Sequence, residues 1–118
     1  MILERWGLVE EVAHPQRLFL DFDRAKTPSL KSVWAVARVV GLHVQWVRHD
    51  RTRRGWHVVV QLRESLTPAE QVALQSILGS DSRREALNLM RARSVAAHDP
   101  GPYWRDRWNL LFSRKLRR

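Results

Sequence analysis

Three short stretches of the chain have strand-like length and patterning: RLFLDFD (17–23), HVQWVRH (43–49) and WHVVVQL (56–62). Their order limits the fold more than any other feature. Only the basic turn DRTRRG separates the second from the third, so these two are expected to fold back on each other as an antiparallel hairpin. Between the first and second lies TPSLKSVWAVARVVG, in which Leu30, Val33, Trp34, Ala37 and Val40 recur at helical spacing. Thr27 is placed to cap that helix, Pro28 suits its first position and Gly41 its end. A second helix, TPAEQVALQSILG, carries a capping box formed by Thr67 and Glu70 around Pro68, with Gly79 at its C-terminal cap. DSRREALNLMRARS (81–94) reads as a third, capped by Asp81 or Ser82. A loop containing HDPGPYW leads to WNLLFSRK (108–115), a last strand. Residues 1–14 match no element.

The order β-α-β-β-α-(α)-β is a split βαβ arrangement. It predicts an α+β domain, a ferredoxin-like or RNA-recognition-motif-like βαββαβ sandwich. Its four-stranded antiparallel sheet would run in the order 4-1-3-2, with helices on one face and one extra helix. A single domain over 1–118 suits the length, because 118 residues of which 44% are hydrophobic and 28% charged can bury one modest core. No repeat or linker divides the chain. Cysteine is absent, which excludes disulfides, thiolate zinc sites and thiol catalysis. The start has no apolar run of signal-peptide type, and no stretch of about 18 apolar residues occurs. A cytoplasmic protein without a membrane partner is the expectation.

The net charge is +9, and only three of the 21 basic residues are lysines. An excess of this size points to a polyanion, most simply nucleic acid, DNA or RNA, with nucleotides as smaller ligands of the same chemistry. RHDRTRR (48–54) and SRKLRR (113–118) concentrate the charge in a turn and a terminus. Arg51, Arg53 and Arg54 in the first, and Arg114 and Lys115 in the second, are therefore candidate phosphate contacts.

The first strand ends in two aspartates, and charged side chains are seldom buried without a partner. Alternation puts Leu18, Leu20 and Phe22 on one face and Phe19, Asp21 and Asp23 on the other. In the strand at 56–62, Trp56, Val58, Val60 and Leu62 form the apolar set, leaving His57, Val59 and Gln61 opposite. If the helices cover the apolar face, Asp21, Asp23 and His57 meet at one corner of an open face beneath the arginine turn. Two carboxylates two residues apart can hold Mg²⁺ or Mn²⁺, which prefer oxygen ligands and accept phosphate as a further one. The ordinary alternatives stay open: Asp23 caps a turn, Asp21 pairs with Arg17 or Arg54, and His57 is a plain strand residue.

FLDFD resembles the first motif of the archaeo-eukaryotic primase superfamily, a hydrophobic strand ending in Asp-hydrophobe-Asp. RRGWHVVV resembles the second, a small residue, any residue, then His on a strand. The resemblance covers about residues 17–62 and implies a catalytic core found in replication proteins of viruses and plasmids. It implies metal at Asp21 and Asp23, phosphate contact by His57, and the small position of the second motif at Gly55. The third motif, a hydrophobic residue and Asp on a later strand, has no clean counterpart. Asn109 and Ser113 stand in its place, and Asp81 is the substitute within reach. The chain is also shorter than a complete primase, which suggests a minimal or degenerate relative.

Trp34 and Trp56 fall on faces expected to be buried, and Trp46, alternating with Val44, is expected to pack as well. Tyr103 and Trp104 either stack on bases or seal their loop onto the sheet, and Phe19 on the open face is a third stacking candidate. Arg83, Arg84 and Glu85 in a first helical turn are expected to pair at the surface. Two functions result. One is metal-dependent phosphoryl (nucleotidyl) transfer, with Asp21, Asp23 and His57 catalytic. The other is a non-enzymatic single-stranded DNA- or RNA-binding module with the same basic rim. A homo-oligomeric interaction protein, its open sheet face a subunit interface, is a third.

Overall fold

The computed structural model describes the backbone of residues 8–11, 13–23, 29–97, 109 and 111–114, and the side chains of 13–23, 29–93 and 109. Within these residues the order is β1 (Leu8–Glu11), β2 (Arg17–Asp23), α1 (Leu30–Val40), β3 (Val44–Arg51), β4 (Gly55–Leu62), α2 (Pro68–Ile77), α3 (Ser82–Ala97) and β5 (Leu111–Arg114). The protein is α+β, with an antiparallel sheet in the order β2-β4-β3 and a separate antiparallel pair, β1-β5.

The helices start and stop for local reasons. Ser29, not Thr27, caps α1, its hydroxyl accepting from the Ser32 N–H; Thr27 and Pro28 lie outside the described residues. Gly41 ends α1 at φ 75°, where Leu42 N–H reaches back to the Ala37 carbonyl at 2.8 Å. The capping box of α2 forms as expected: Thr67 N–H donates to Glu70 Oε1 and Glu70 N–H to Thr67 Oγ1. These bonds hold the Glu70 carboxyl below its ordinary pKa. Asp81 caps α3, its Oδ1 accepting from the N–H groups of Arg83 and Arg84.

The apolar face forms as the alternation requires. Leu18, Leu20 and Phe22 of β2 and Val58, Val60 and Leu62 of β4 pack with Val33 of α1 and Leu74 of α2, and Trp56 packs partly buried against them. Trp34, 52% exposed, and Trp46, 40% exposed, are the exceptions among the tryptophans expected to pack. Helix α1 is apolar on most sides but meets the core only through Val33, Val36 and Ala37. Leu30, Trp34 and Val40 flank that contact and remain exposed.

Two expectations about the sheet are corrected. The opposite face is not open where β2 and β4 meet: Phe19 is 0% exposed, and Val59, His57 and Gln61 are buried beside it. Nor does the last strand become the fourth of the sheet, since β5 pairs with β1, with Leu8 opposite Arg114 and Glu11 opposite Leu111. The reason lies along the outer edge of β2. An edge strand leaves a row of backbone N–H and C=O groups that need partners, and here side chains supply them. The Arg17 carbonyl accepts from Gln71 Nε2 (2.9 Å), and Phe19 N–H donates to Gln75 Oε1 (3.0 Å). The Phe19 carbonyl accepts from Arg84 Nη1 (2.9 Å), and Asp21 N–H donates to Ser80 Oγ (2.9 Å). The Asp21 carbonyl takes the backbone N–H of Asp81 at 2.7 Å. Helices α2 and α3 thus occupy the edge that a fourth strand would need.

Candidate nucleic-acid interface

Antiparallel pairing sets Asp21 directly opposite His57, and Asp23 opposite Gly55. The corner expected from the sequence therefore exists on the backbone. His57 Nε2 lies 3.4 Å from Asp21 Oδ1, with the imidazole buried and the carboxylate partly exposed. On the far side of His57 the partner in register is Asp50 of β3, whose Oδ2 accepts from Arg48 Nε at 2.8 Å. Asp81, the substitute acid, is brought next to Asp21 by the backbone bond already described, but its carboxylate caps α3.

Among the described residues no group of three or more His, Asp or Glu side chains converges as a metal site. Mg²⁺ requires only one or two carboxylates when phosphates complete its shell.

The arginines separate. Arg53 and Arg54 are exposed at the tip of the β3–β4 hairpin, whose turn is closed by Thr52 N–H donating to the Gly55 carbonyl at 2.8 Å. Arg51 pairs in register with Trp56, which places it on the side of the sheet facing the core, away from Asp21 and His57. Its guanidinium carbon lies 5.8 Å from the Trp56 ring centroid, and His49 packs against the same indole at 5.6 Å. The hairpin thus carries cations on both faces and at its tip. Arg114 lies on β5, where the backbone alone is described; Lys115, Tyr103 and Trp104 lie outside the described residues. Phe19, buried, is not a stacking surface.

Two groups were not legible from the sequence. One is the aromatic-basic row Arg17–Gln61–Trp46 across the three strands. Arg17 Nε donates to Gln61 Oε1 at 2.7 Å, and the guanidinium lies 5.6 Å from the Trp46 ring centroid. The second is a buried polar cluster behind the β2 edge. The Glu85 carboxylate, on a residue 2% exposed, accepts from Gln75 Nε2 (2.6 Å), Ser80 Oγ (2.7 Å), Arg84 Nη1 (2.6 Å) and Asn88 Nδ2 (3.0 Å). Asn109 completes it, Oδ1 accepting from Arg84 Nη2 and Nδ2 donating to Gln75 Oε1. The Arg84–Glu85 pair, expected at the surface, is therefore buried. Burial pushes the Arg84 guanidinium below its ordinary pKa, while Glu85 and Asp21 oppose that shift.

No protein-family model and no solved structure matches the chain. Over 91 residues, 77% of its length, it is 31% identical to the RecBCD enzyme subunit RecD of Mycolicibacterium smegmatis. The chain spans about 15% of the length of that subunit. Among the described residues no helix is long and apolar enough to cross a membrane.

Proposed function

We propose that the chain is a nucleic-acid-binding domain whose β3–β4 hairpin grips the sugar–phosphate backbone. The observation that carries this reading is the hairpin itself: Arg53 and Arg54 at an exposed tip, with Arg48 and Arg51 behind them on opposite faces of β3. The net charge of +9 and the partial likeness to a RecD subunit support the same direction. The β2-β4-β3 order is that of a ferredoxin-like sheet lacking its fourth strand, and we read the domain as a reduced form of that fold.

Binding of a labelled oligonucleotide should weaken steeply with salt. Each phosphate contact contributes roughly 0.7–0.9 to the slope of log affinity against log salt concentration. Replacing two contacts in Arg53→Ala/Arg54→Ala is expected to reduce that slope by about 1.4–1.8. An unchanged slope with unchanged affinity would remove the hairpin tip from the interface.

A second reading is favoured by the register that opposes Asp21 to His57. It is the primase-like one: Asp21 and Asp23 would hold Mg²⁺ or Mn²⁺, which would supply charge neutralisation for nucleotidyl transfer, and His57 and the hairpin arginines would orient phosphates. The test incubates an oligonucleotide with either metal and mixed ribo- and deoxynucleotides, with wild type beside Asp21→Asn/Asp23→Asn. Extension, priming or cleavage lost in the variant is the expected result of this reading. No product from either protein, while both still shift the oligonucleotide, would leave the binding domain alone.

A further inference from the structure

We propose that Trp46 is a stacking site for an unpaired base, so that the domain prefers single-stranded to duplex nucleic acid. The inference rests on the nucleic-acid-binding reading and assigns it a contact and a ligand class.

It begins with a β-bulge. Val44 is opposite Leu62, and if β3 continued without interruption Trp46 would be opposite Val60, on the core side. Instead the register shifts between Val44 and Trp46. Val47 takes the place opposite Val60 and packs against the core. Trp46 is turned to the other face, opposite Gln61, and is 40% exposed. Bulges re-aim side chains and recur beside functional sites. Here one extra residue moves the largest side chain of the strand out of the core and onto an edge.

The surroundings of that indole are cationic. Arg17 reaches it from two strands away, its guanidinium oriented by the bond to Gln61. A cation near an indole stabilises the ring's placement and adds its charge to the surface beside it. Arg48, two residues along β3 and on the same face, lies about 7 Å further on, its guanidinium held by Asp50. An exposed indole with one arginine over its ring and another further along the strand is what a strand with unstacked bases can use: a base stacks on the ring face turned away from Arg17, and the phosphates meet guanidinium groups. Bases within a duplex are already stacked and cannot take that face without being unpaired. Trp46 supplies the aromatic surface expected of Phe19, on the exposed edge strand and not the buried one.

The test compares wild type, Trp46→Ala, Trp46→Phe and Arg53→Ala/Arg54→Ala by fluorescence anisotropy. Three ligands are used: an oligothymidylate, a duplex, and an abasic oligonucleotide of the same length as the first. Trp46→Ala is expected to weaken oligothymidylate binding about tenfold or more, with the salt slope and duplex affinity unchanged. Trp46→Phe should restore most of the loss, and the abasic strand should not distinguish wild type from Trp46→Ala. Wild-type affinity of Trp46→Ala for oligothymidylate would overturn the stacking site. An equal loss on all three ligands would do so too. If the hairpin variant still loses binding, the reading of the domain survives either result. Failure of wild type to bind any of the three would overturn both.

Discussion

Glu85→Ala is expected to destabilise the fold by about 3–5 kcal/mol, the range for removing one partner of a buried ion pair. The guanidinium of Arg84 would stay inside without the carboxylate that opposes the effect of its burial. A domain of this size has roughly 5–15 kcal/mol of stability in all, so a large part of it would be lost. The damage would also spread. Glu85 accepts from Gln75 and Ser80, and these two satisfy the backbone N–H groups of Phe19 and Asp21 at the edge of β2. Urea melts followed by circular dichroism measure the loss. Glu85→Gln, which keeps an acceptor but not the charge, should fall between wild type and alanine. Replacing both partners with apolar residues, Arg84→Met/Glu85→Leu, should recover part of the loss because no lone charge remains. Recovery stays incomplete because the Phe19 carbonyl then loses its Arg84 donor. A Glu85→Ala protein within about 1 kcal/mol of wild type, the net worth of one ordinary hydrogen bond, would show that the cluster does not hold the strand.

That cluster marks where the sequence stops being legible. The apolar face of β2 and β4 could be read directly, because period-two alternation in a half-buried sheet reports burial residue by residue. The same alternation set Asp21 opposite His57. It could not show that the other face would also be buried, because covering a face is a tertiary event and Phe19 looks the same with or without it. Gln75, Asn88 and Asn109 have the composition of surface residues, and the burial of the first two depends on meeting Asn109 across 34 and 21 positions of chain. The failure to form a fourth strand follows from that meeting. Trp46 was misplaced for a different reason. One bulged residue inverts the face of everything beyond it, and nothing in HVQWVRH announces the insertion. In α1 the helical spacing was right, but an apolar stripe too wide for its contact left Trp34 outside.

Gly55→Ala should act at the corner itself, and more strongly than a single methyl suggests. A Cβ on Gly55 would lie 1.8 Å from the Phe22 carbonyl oxygen and 2.8 Å from the Asp23 Cα. Both are backbone atoms of the paired strand, so no side chain can rotate aside. The start of β4 must separate from the end of β2, and overpacking of this kind typically costs about 1–3 kcal/mol. This gives a physical reason for a small residue two positions before His57, independent of any family likeness. Because Gly55 also closes the hairpin turn through its carbonyl, the displacement should reach Arg53 and Arg54 and weaken oligonucleotide binding. Gly79→Ala is the matched control. Its Cβ would lie 3.4 Å from Phe22 Cε1, an ordinary contact, and its difficulty is the backbone angle of φ 90°, a strain of roughly 1–2 kcal/mol that does not force the backbones of β2 and β4 apart. Hydrogen exchange on both variants separates the two effects. Lost protection at Phe22 and Trp56, whose amides face each other across the β2–β4 pair, in Gly55→Ala, with those amides still protected in Gly79→Ala, is the expected pattern. Equal protection at the corner in both variants would mean that β2 and β4 can part there without strain, and the hairpin would not depend on the glycine at its base.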